Sequence, residues 1–547
     1  MTNSINEIQD NDVLFIIGSN TTEAHPIIGN KMKQAARKGA KLIVIDPRRT
    51  EIADFAYLHV PLKSGTDAAL VNGLMHIIIK EDLHDKEFIK ERCADFEEVA
   101  EVVEKYIPEY TSKITEIPED VLYEVARLYA TTDKAGIFYT LGITEHTTGT
   151  ANVMNLANLA MLTGHLGKPN AGVNPLRGQN NVQGACDMAA LPNYFPGYRQ
   201  AYDPGVIEEY EERWGVKLNT NPGLRIPEML DSAADDTGVK AMIVMGEDPV
   251  LTDPDANHVK KALNNLEFLV TQNIIMSETS KYADVVFPAT CYAEKDGTFT
   301  NTERRVQRVR KAVDPPGEAR VDWEILCDIA KGMGAPGFDY TCAEDIFNEI
   351  RECMPSYRGM TYERIDKVGL QWPCPTEDHP GTKYLHEGKF PIGKGLMIPI
   401  EYEEPAELCD EEYPILLTTG RMLYHYNVMT RESDALDGLR PHELAEINPE
   451  DAEAYGLDEN SFIRVTSRRG SIVTRVKITD RMKKGMMFMT FHYKESPVND
   501  LTNSEFDPVT KTAEYKISAV KMEKVESEEE ALQAMHDAYV HVDIIED

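Results

Sequence analysis

The segment NPLRGQNNVQGACD, at 174–187, holds one cation, Arg177, with no acidic residue beside it in the sequence before Asp187. A guanidinium presents a planar fork of donors that matches a carboxylate, and it stays charged at any relevant pH. Gly178 and Gly184 allow the backbone to approach a ligand closely. Neutral donors and acceptors accompany the cation without quenching it: Gln179, Asn180, Asn181 and Gln183. Two interpretations stay open: Arg177 binds a small anion, or it braces two domains by donating to backbone carbonyls.

Polar residues also follow two short apolar runs near the N-terminus. Val13–Ile17 ends at Gly18, and Lys41–Ile45 ends at Asp46, with Arg48 close behind. Ligands bind at strand ends in an open α/β sheet, because helix N-termini and free backbone amides meet there. Asp46 is placed to accept hydrogen bonds from ribose or guanine, and Arg48 to meet a phosphate. A turn or helix-capping role is the alternative for Asp46.

The same pattern recurs later in the chain. MIVMGEDP, around Gly246, resembles LFIIGSNT, around Gly18, and ETSKYADVVFP (278–288) matches EIADFAYLHVP (51–61) with the same spacing. Two related α/β halves predict a ligand with two similar parts. Because no G-x-G-x-x-G fingerprint follows either glycine, an ordinary NAD site is disfavoured.

The repeat pairs candidate residues of the two halves. Asp248 is equivalent to Asn20, and Gln272 is equivalent to Asp46 within about two residues. Farther on, NTERRVQRVRK (301–311) concentrates cations in an otherwise acidic chain. That segment either binds a diphosphate or forms a charged helix face.

The elements that hold these residues alternate over the first ~180 positions, which predicts a parallel, doubly wound sheet. Predicted strands are Val13–Ile17, Lys41–Ile45, Leu58–Leu62 and Gly136–Leu141, and predicted helices are about Pro26–Lys38, Glu119–Thr131 and Ala151–Leu166. From about Glu411 the sequence changes to short runs that alternate apolar and polar residues or are rich in β-branched residues, which is typical of a barrel. We therefore predict two related doubly wound (Rossmann-like) α/β halves at 1–178 and 179–405. A double-psi-like β-barrel follows at 406–525, and an acidic C-terminal helix at 526–547.

Composition narrows the class of function. The chain has 547 residues and a net charge of −35, which argues against nucleic acid and anionic membrane surfaces as partners. No apolar run reaches the ~20 residues that cross a bilayer. The eight cysteines are scattered without a C-x-x-C pair, which indicates a reducing, cytoplasmic setting and neither a zinc ribbon nor an iron–sulfur cluster.

Lone histidines are most often structural. Those at predicted turns or strand ends (His25, His146, His425 and His492) show no metal-ligand spacing, so no metal-ligating residue is assigned.

Several of these segments resemble one family in order along the chain. GVNPLRGQNNVQGACDM (172–188), MGEDPVLTD, TFTNTERRVQ, DWEIL, QWPCP, and the TTGR and EYK of the barrel are similar to the catalytic α subunit of molybdopterin-dependent formate dehydrogenases. The resemblance covers essentially the whole chain. It implies a bis-molybdopterin guanine dinucleotide carrying molybdenum or tungsten, one nucleotide along each α/β half. It also implies two-electron oxidation of formate to carbon dioxide, with Arg177 orienting formate and Gln179 beside it.

The resemblance further implies three groups of cofactor contacts. In the first half they are Asn20, Asp46, Arg48, Gly65 and Asp67; in the second, Asp248, Thr252, Gln272, Asn301, Arg304 and Asp322; in the barrel, Arg421, His425, His492 and Lys516.

The chain departs from the family at its start. Complete members begin with a cysteine-rich [4Fe-4S] domain and then place a selenocysteine or cysteine on the metal, all upstream of this Met1. We therefore expect the isolated chain to be inactive, and hypothesise that an in-frame selenocysteine codon was read as a stop. The expected partner is that missing domain or an electron-transfer subunit passing electrons to NAD, deazaflavin, ferredoxin or a hydrogenase. Alternatives are a catalytically silent structural or electron-relay subunit, or another molybdopterin oxidoreductase such as a nitrate reductase, which the NPLRGQNN loop disfavours.

Overall fold

A computed structural model describes residues 1–540, which form two compact units. Unit 1 contains Met1–Leu176, Leu251–Asn257 and the chain from Tyr384 onward; unit 2 contains Arg177–Val250 and His258–Lys383. The segment 384–405, assigned above to the second half, thus belongs to unit 1, where its Gly395–Leu396 strand pairs with Cys93–Ala94. Residues 541–547 of the predicted acidic helix lie outside the described residues.

The first α/β domain lies in unit 1 and is built around a parallel five-stranded sheet in the order β3-β2-β1-β5-β6. The strands of this part of the chain are β1 Val13–Ile17, β2 Lys41–Ile45, β3 Leu58–Val60, β4 Cys93–Ala94, β5 Ala135–Tyr139 and β6 Val173–Pro175. All five side chains of β1 are buried, as expected for a strand covered by helices on both faces. The predicted doubly wound sheet is confirmed.

Helices cover this sheet: α1 Thr21–Ala24, α2 Pro26–Arg37, α3 Asp67–Lys80, α4 Lys86–Arg92, α5 Phe96–Val103, α6 Pro108–Thr115, α7 Glu119–Ala130, α8 Leu141–Thr144 and α9 Gly149–Leu162, with 3-10 turns at Ile5–Asp10 and Glu51–Phe55. The predicted strand at 136–141 ends earlier, because Leu141 begins α8. The helix predicted to reach Leu166 ends at Leu162, since Gly164 adopts a φ of +66° that a helix does not allow.

Unit 2 contains a parallel sheet in the order β11-β10-β9 and an antiparallel sheet in the order β12-β13-β14. Its strands are β7 Tyr194–Phe195, β8 Arg199–Gln200, β9 Ala241–Met245, β10 Phe268–Asn273, β11 Val285–Pro288, β12 Gly297–Thr300, β13 Arg305–Val309 and β14 Leu370–Gln371. The charged-helix alternative for 301–311 is wrong, because Arg305–Val309 is a strand paired with β12.

Helices of unit 2 and its junctions are α10 Val182–Asp187, α11 Pro204–Trp214, α12 Ile226–Ala234, α13 Pro249–Thr252, α14 Ala256–Asn264, α15 Asp322–Gly332, α16 Ala343–Cys353 and α17 Tyr362–Ile365, with 3-10 turns at Thr279–Tyr282 and Tyr292–Glu294.

The internal repeat is visible in backbone hydrogen bonds. The amide of Gly18 donates to the carbonyl of Ile45 at 2.9 Å, and the amide of Gly246 donates to that of Gln272 at 2.9 Å. The turn that follows repeats as well, because Tyr57 donates to Leu42 at 2.9 Å and Asp284 to Leu269 at 2.9 Å. Each half therefore ends its first two strands together and enters the third through the same turn.

The C-terminal domain of unit 1 is a closed barrel in the order β16-β20-β17-β19-β18-β21. The strands from 395 onward are β15 Gly395–Leu396, β16 Ile415–Gly420, β17 Leu444–Ile447, β18 Phe462–Thr466, β19 Ser471–Ile478, β20 Met486–Thr490 and β21 Ser518–Lys524. The helices are α18 Asp434–Asp437, α19 Pro449–Ala454 and α20 Glu528–Val540, with 3-10 turns at Met429–Glu432 and Val498–Asp500. The predicted barrel is confirmed, and α20 packs on it through Ala531 and Met535.

One carboxyl group is buried inside this barrel. Glu443, just before β17, is 0% exposed and accepts hydrogen bonds from the amide and the hydroxyl of Thr490 at the end of β20. Burial raises the pKa of Glu443 to about 7 from its usual 4.5. Stability that the protonated group contributes below pH 4.5 is therefore lost as the pH rises towards 7.

We expect Glu443→Gln to raise the melting temperature at pH 8, because the amide never acquires the buried charge. The gain in free energy of unfolding is on the order of 3 kcal/mol at most. This gain should disappear towards pH 5. Melting curves from pH 5 to 8 measure it. Glu450→Gln, at an exposed ion pair with Lys484, is the control without a pH-dependent gap. A difference in melting temperature between Glu443→Gln and wild type that is constant with pH would contradict the raised pKa of Glu443.

Candidate functional site

The loops after β1 and β5 approach each other backbone to backbone. Gly18 has a φ of +55°, and a Cβ there would lie 2.7 Å from the carbonyl carbon of Gly142. The amide of Gly142 donates to the carbonyl of Gly18 at 3.1 Å, and the Thr140 hydroxyl donates to the same oxygen at 2.7 Å. Only glycine fits at Gly18, and the contact fixes the strand-end loop that follows it.

That loop carries four consecutive polar side chains with unsatisfied atoms. Within residues 1–540, the buried Ser19 Oγ, Asn20 Oδ1, Thr21 Oγ1 and Thr22 Oγ1 have no hydrogen-bond partner. A buried polar group without a partner costs about 1–3 kcal/mol, so a cluster of four requires an explanation. A polar ligand bound at the end of β1 would supply the missing partners. Asn20 was predicted; its three neighbours were missed, although a polar S-N-T-T run directly after a buried strand was the available signal.

Asp46 and Arg48 lie at the end of β2. Asp46 Oδ1 accepts from the Arg48 amide at 2.9 Å, which is the turn role left open above, and burial raises the pKa of Asp46. The Arg48 guanidinium donates to Glu446 of the barrel at 3.2 Å and stacks 3.3 Å from the Phe488 ring centroid. A phosphate at Arg48 would therefore share the guanidinium with Glu446.

Gly65 and Asp67 lie at the start of α3. Gly65 has a φ of +78°, and a Cβ there would lie 2.5 Å from Pro405 Cγ, so the chain needs glycine at this approach. Asp67 is the first residue of α3 and is 6% exposed. Burial raises its pKa to about 6, although His146 acts in the opposite direction.

His146 joins these groups and was not predicted as a site residue. Its Nδ1 lies 3.5 Å from Glu514 Oε1, and its Nε2 lies 3.0 Å from the carbonyl of Gly142. Burial lowers the pKa of His146, but Glu514 and Asp67 more than offset this and the net shift is upward. Next to it, Lys516 pairs with Glu145 at 2.7 Å and donates to the Thr419 carbonyl at 2.9 Å. The EYK segment of the barrel thus completes a buried acid–base cluster beside the strand ends of the first domain.

The remaining barrel candidates, Arg421, His425 and His492, stabilise the conformation of one loop. Arg421 donates to the side chain of Asn427, and burial lowers the pKa of Arg421. His492 Nδ1 donates to the Asn427 carbonyl at 2.7 Å, while burial lowers the pKa of His492 to about 3, which keeps it neutral. His425 Nε2 donates to the Arg440 carbonyl at 3.0 Å. Both histidines therefore have hydrogen bonds that account for their burial.

In unit 2, Gln272 presents the clearest ligand-facing atom. Its Nε2 donates to Asp322 Oδ1 at 3.0 Å, while its buried Oε1 has no partner within the described residues. The other oxygen of Asp322 pairs with Lys295. The amide of Gln272 is thus oriented by Asp322, with an acceptor left available.

Asp248 and Thr252 bracket α13. The carboxylate of Asp248 accepts from the Thr279 amide at 2.9 Å and the Thr279 hydroxyl at 2.7 Å, and so caps the repeated turn. Burial raises the pKa of Asp248. The carbonyl of Thr252, in unit 1, accepts from Tyr515 OH at 2.9 Å and Asn499 Nδ2 at 3.1 Å.

Asn301 and Arg304 shape the turn between β12 and β13. Asn301 Oδ1 accepts from the Arg305 amide at 3.0 Å. Arg304 has a φ of +67°, is 2% exposed and donates to the carbonyls of Trp372, Thr382 and Lys383. Arg304 therefore braces the backbone through these hydrogen bonds. The prediction that Arg304 contacts a diphosphate did not include this role.

The Arg177 loop connects β6 to α10. Arg177 is exposed, and its amide donates to Thr302 Oγ1 at 3.1 Å. At the other end of the loop, Asn181 Oδ1 accepts from the Thr300 amide at 2.9 Å. Gln179 is half-buried between these two anchors. The loop is therefore tied at Arg177 and at Asn181, on either side of Gln179, to residues at and just beyond the end of β12.

Two kinds of feature are absent from the residues that the structure describes. Within 1–540, no group of three or more His, Cys, Asp and Glu side chains is arranged to hold a metal ion. Over the same residues, no helix is long and apolar enough to cross a membrane.

Comparison with known proteins places this geometry in context. A model of the molybdopterin oxidoreductase family matches residues 1–332, and one of the molybdopterin dinucleotide-binding domain matches residues 415–519. The chain is 50% identical over 530 residues to the α subunit of the F420-dependent formate dehydrogenase of Methanocaldococcus jannaschii, covering 96% of this chain and 78% of that protein. It is 41% identical to formate dehydrogenase H of Escherichia coli, covering 98% of this chain and 76% of that protein.

Two further comparisons are informative. The assimilatory nitrate reductase catalytic subunit of Bacillus subtilis is 37% identical, covering 95% of this chain and 76% of that protein. Among solved structures, acetylene hydratase from Pelobacter acetylenicus has the same fold, with a TM-score of 0.76 and 22% identity over 94% of this chain and 78% of that one.

Substitutions of two buried threonines test whether the unsatisfied polar cluster at the end of β1 binds a ligand. Thr21 and Thr111 are both 0% exposed, but Thr111 Oγ1 donates to the Tyr106 carbonyl at 3.0 Å, whereas Thr21 Oγ1 has no partner in the described chain. In ligand-free protein we expect Thr21→Val to raise the free energy of unfolding by about 1 kcal/mol and Thr111→Val to lower it by about 1 kcal/mol. Thermal unfolding measures both. Equal destabilisation by the two substitutions would show that Thr21 is satisfied without a ligand.

Proposed function

The chain belongs to the molybdopterin oxidoreductase family, and from this membership we propose that it oxidises formate to carbon dioxide as part of a formate dehydrogenase catalytic subunit. The observation that carries the proposal is the Arg177 loop: a cation and an amide, Gln179, held between two hydrogen bonds to the end of β12. The relatives named as formate dehydrogenases support the choice of substrate.

We propose that the cofactor is a bis-molybdopterin guanine dinucleotide, with one nucleotide at each α/β half. The unsatisfied atoms at the end of β1 and at Gln272 fit a polar nucleotide, because each lacks a hydrogen-bond partner among the described residues. Asn20, Asp46 and Asp67 would hold the first nucleotide, and Gln272, oriented by Asp322, the second. When bound, the molybdenum or tungsten of the cofactor supplies the two-electron redox couple.

The chain's own contribution is to bind and orient the anion. Formate loses its C–H bond, two electrons and one proton leave, and carbon dioxide remains. The Arg177 guanidinium binds the carboxylate through two donors and so fixes the direction of the C–H bond. Gln179 adds a neutral donor that does not weaken the cation. Because carbon dioxide carries no charge, the attraction that holds formate disappears with the reaction, and this favours product release.

A nitrate reductase is the second candidate, since one relative carries that name. Nitrate is also a planar anion that a guanidinium fork fits. It differs from formate in lacking a C–H bond and in accepting electrons. A catalytically silent subunit of the same fold is the third candidate. Assays with formate and an electron acceptor, and with nitrate and a reductant, separate the first two.

We further propose an electron-transfer partner and a reducing compartment. Oxidising formate releases two electrons that must pass to an acceptor, and the relatives named as α subunits imply companion subunits. All eight cysteines are free thiols, which supports a reducing, cytoplasmic setting.

We expect the purified protein to contain molybdenum or tungsten together with guanine nucleotide. Elemental analysis by mass spectrometry and nucleotide release by acid measure both. Metal and nucleotide in a fixed ratio support the enzyme. Neither metal nor nucleotide, in protein produced by a host that makes the cofactor, would support the silent scaffold instead.

We expect Arg177→Lys to lower kcat/KM for formate about 10- to 100-fold, because lysine keeps the charge but loses the two-donor fork. Metal and nucleotide content should be unchanged. Arg213→Lys is the matched control, since Arg213 makes a surface ion pair with Glu352 in the same unit. Steady-state formate oxidation by the cofactor-loaded catalytic subunit that includes this chain measures the effect. Arg177→Lys activity equal to that of the control would remove Arg177 from the substrate site.

A further inference from the structure

Asp187 ends α10, the helix that follows the Arg177 loop, and its carboxylate is surrounded by neutral donors. It is 0% exposed. Its Oδ1 accepts from Gln183 Nε2 at 2.8 Å and Tyr198 OH at 2.9 Å. Its Oδ2 accepts from Tyr357 OH at 2.6 Å and Trp372 Nε1 at 2.8 Å. Each oxygen therefore takes two hydrogen bonds, none of them from a cation.

These bonds close a ring that includes the Arg177 loop. Since Tyr357 OH donates its only proton to Asp187, it accepts from Thr300 Oγ1, which lies 2.9 Å away. The amide of Thr300 donates to Asn181 Oδ1, and Asn181 immediately precedes α10. Through Tyr357, Asp187 thus links the C-terminal end of α10 to Thr300, the last residue of β12. Thr300 also holds the N-terminal end of α10, through Asn181.

Two further contacts stabilise the loop and this ring of hydrogen bonds. The amide of Arg177 donates to Thr302, two residues beyond Thr300. On the other side, Trp372 is itself fixed, because Arg304 donates to its carbonyl and lies 5.5 Å over its ring. Asp187 is the point where these contacts converge on α10.

Asp187 also bears on the charge of the site. Burial and Asp187 raise the pKa of Tyr198, while the Arg177 guanidinium acts on Tyr198 in the opposite direction. Arg177 is therefore within electrostatic range of this cluster. A carboxylate that accepts hydrogen bonds from four neutral donors can anchor the loop through these bonds alone.

We propose that Asp187 is a positioning residue for the anion site: it sets the conformation of the loop that carries Arg177 and Gln179. The role in catalysis rests on the proposed function, whereas the hold on the loop does not. Asparagine cannot replace it fully, because its amide brings two donors to a position where four donors converge. Trp372 Nε1, in particular, cannot reverse its role.

The hold on the loop is tested by trypsin, which cuts the bond between Arg177 and Gly178. In the full chain we expect Asp187→Asn and Tyr357→Phe each to speed this cut at least tenfold, as seen by mass spectrometry of the fragments. A tenfold change corresponds to 1.4 kcal/mol of easier loop opening. Tyr340→Phe is the control, because Tyr340 OH donates to Glu349 elsewhere in the same unit. If Asp187→Asn does not fold, Tyr357→Phe carries the test.

The effect on the site is tested with formate and with azide, a linear anion, on cofactor-loaded protein. We expect the formate KM and the azide inhibition constant to rise at least fivefold in both ring variants, with kcat changed less than threefold and metal content unchanged. Cleavage rates equal to the control, or a formate KM within twofold of wild type, would overturn the proposal. If the cofactor-loaded catalytic subunit that includes this chain does not oxidise formate, the proposed function fails, while trypsin still decides whether Asp187 holds the loop.

Discussion

Buried parallel strands that end together are the constraint on which both proposed nucleotide sites depend. At that edge the backbone must turn away from the sheet, and its amides and carbonyls still need partners. The chain meets this need in the same way twice, with a glycine amide donating to a carbonyl near the end of the neighbouring strand. The side chains just beyond are then held in a buried setting with atoms left unsatisfied, among them Asn20 Oδ1 and Gln272 Oε1 within the described residues. Ligand recognition follows from the way the strands end.

Much of the fold could be predicted because its signals are local. β1 and β2 lie at the predicted residues, since β1 is a run of five apolar residues and β2 has four apolar residues after Lys41, each bounded by polar or glycine positions. Asn20 and Gln272 could be placed at strand ends for a related reason: strand ends are where ligands bind in this class of sheet, and the sequence repeat paired Asn20 with Asp248 and, within about two residues, Asp46 with Gln272.

Charged side chains were harder to interpret, because their partners are far away in the sequence. Arg48 was expected to meet a phosphate and also pairs with Glu446, on the barrel. Arg304 was expected at a diphosphate and also bonds three backbone carbonyls. His146 looked like an ordinary structural histidine until Glu514 and Asp67 were placed beside it. No periodicity or motif reveals a pairing across hundreds of residues; only the folded chain does.

The order of the two units along the chain has a consequence for synthesis. Unit 1 is interrupted by unit 2, so the partners of its first domain leave the ribosome last. Glu446 and Lys516, which meet Arg48 and Glu145, are translated only after the whole stretch from Arg177 to Lys383. Because domains fold as they emerge, the proposed first nucleotide cradle stays incomplete, without its barrel residues, while unit 2 folds. A chaperone that recognises this half-built cradle would have a window to deliver the cofactor before the barrel closes over it.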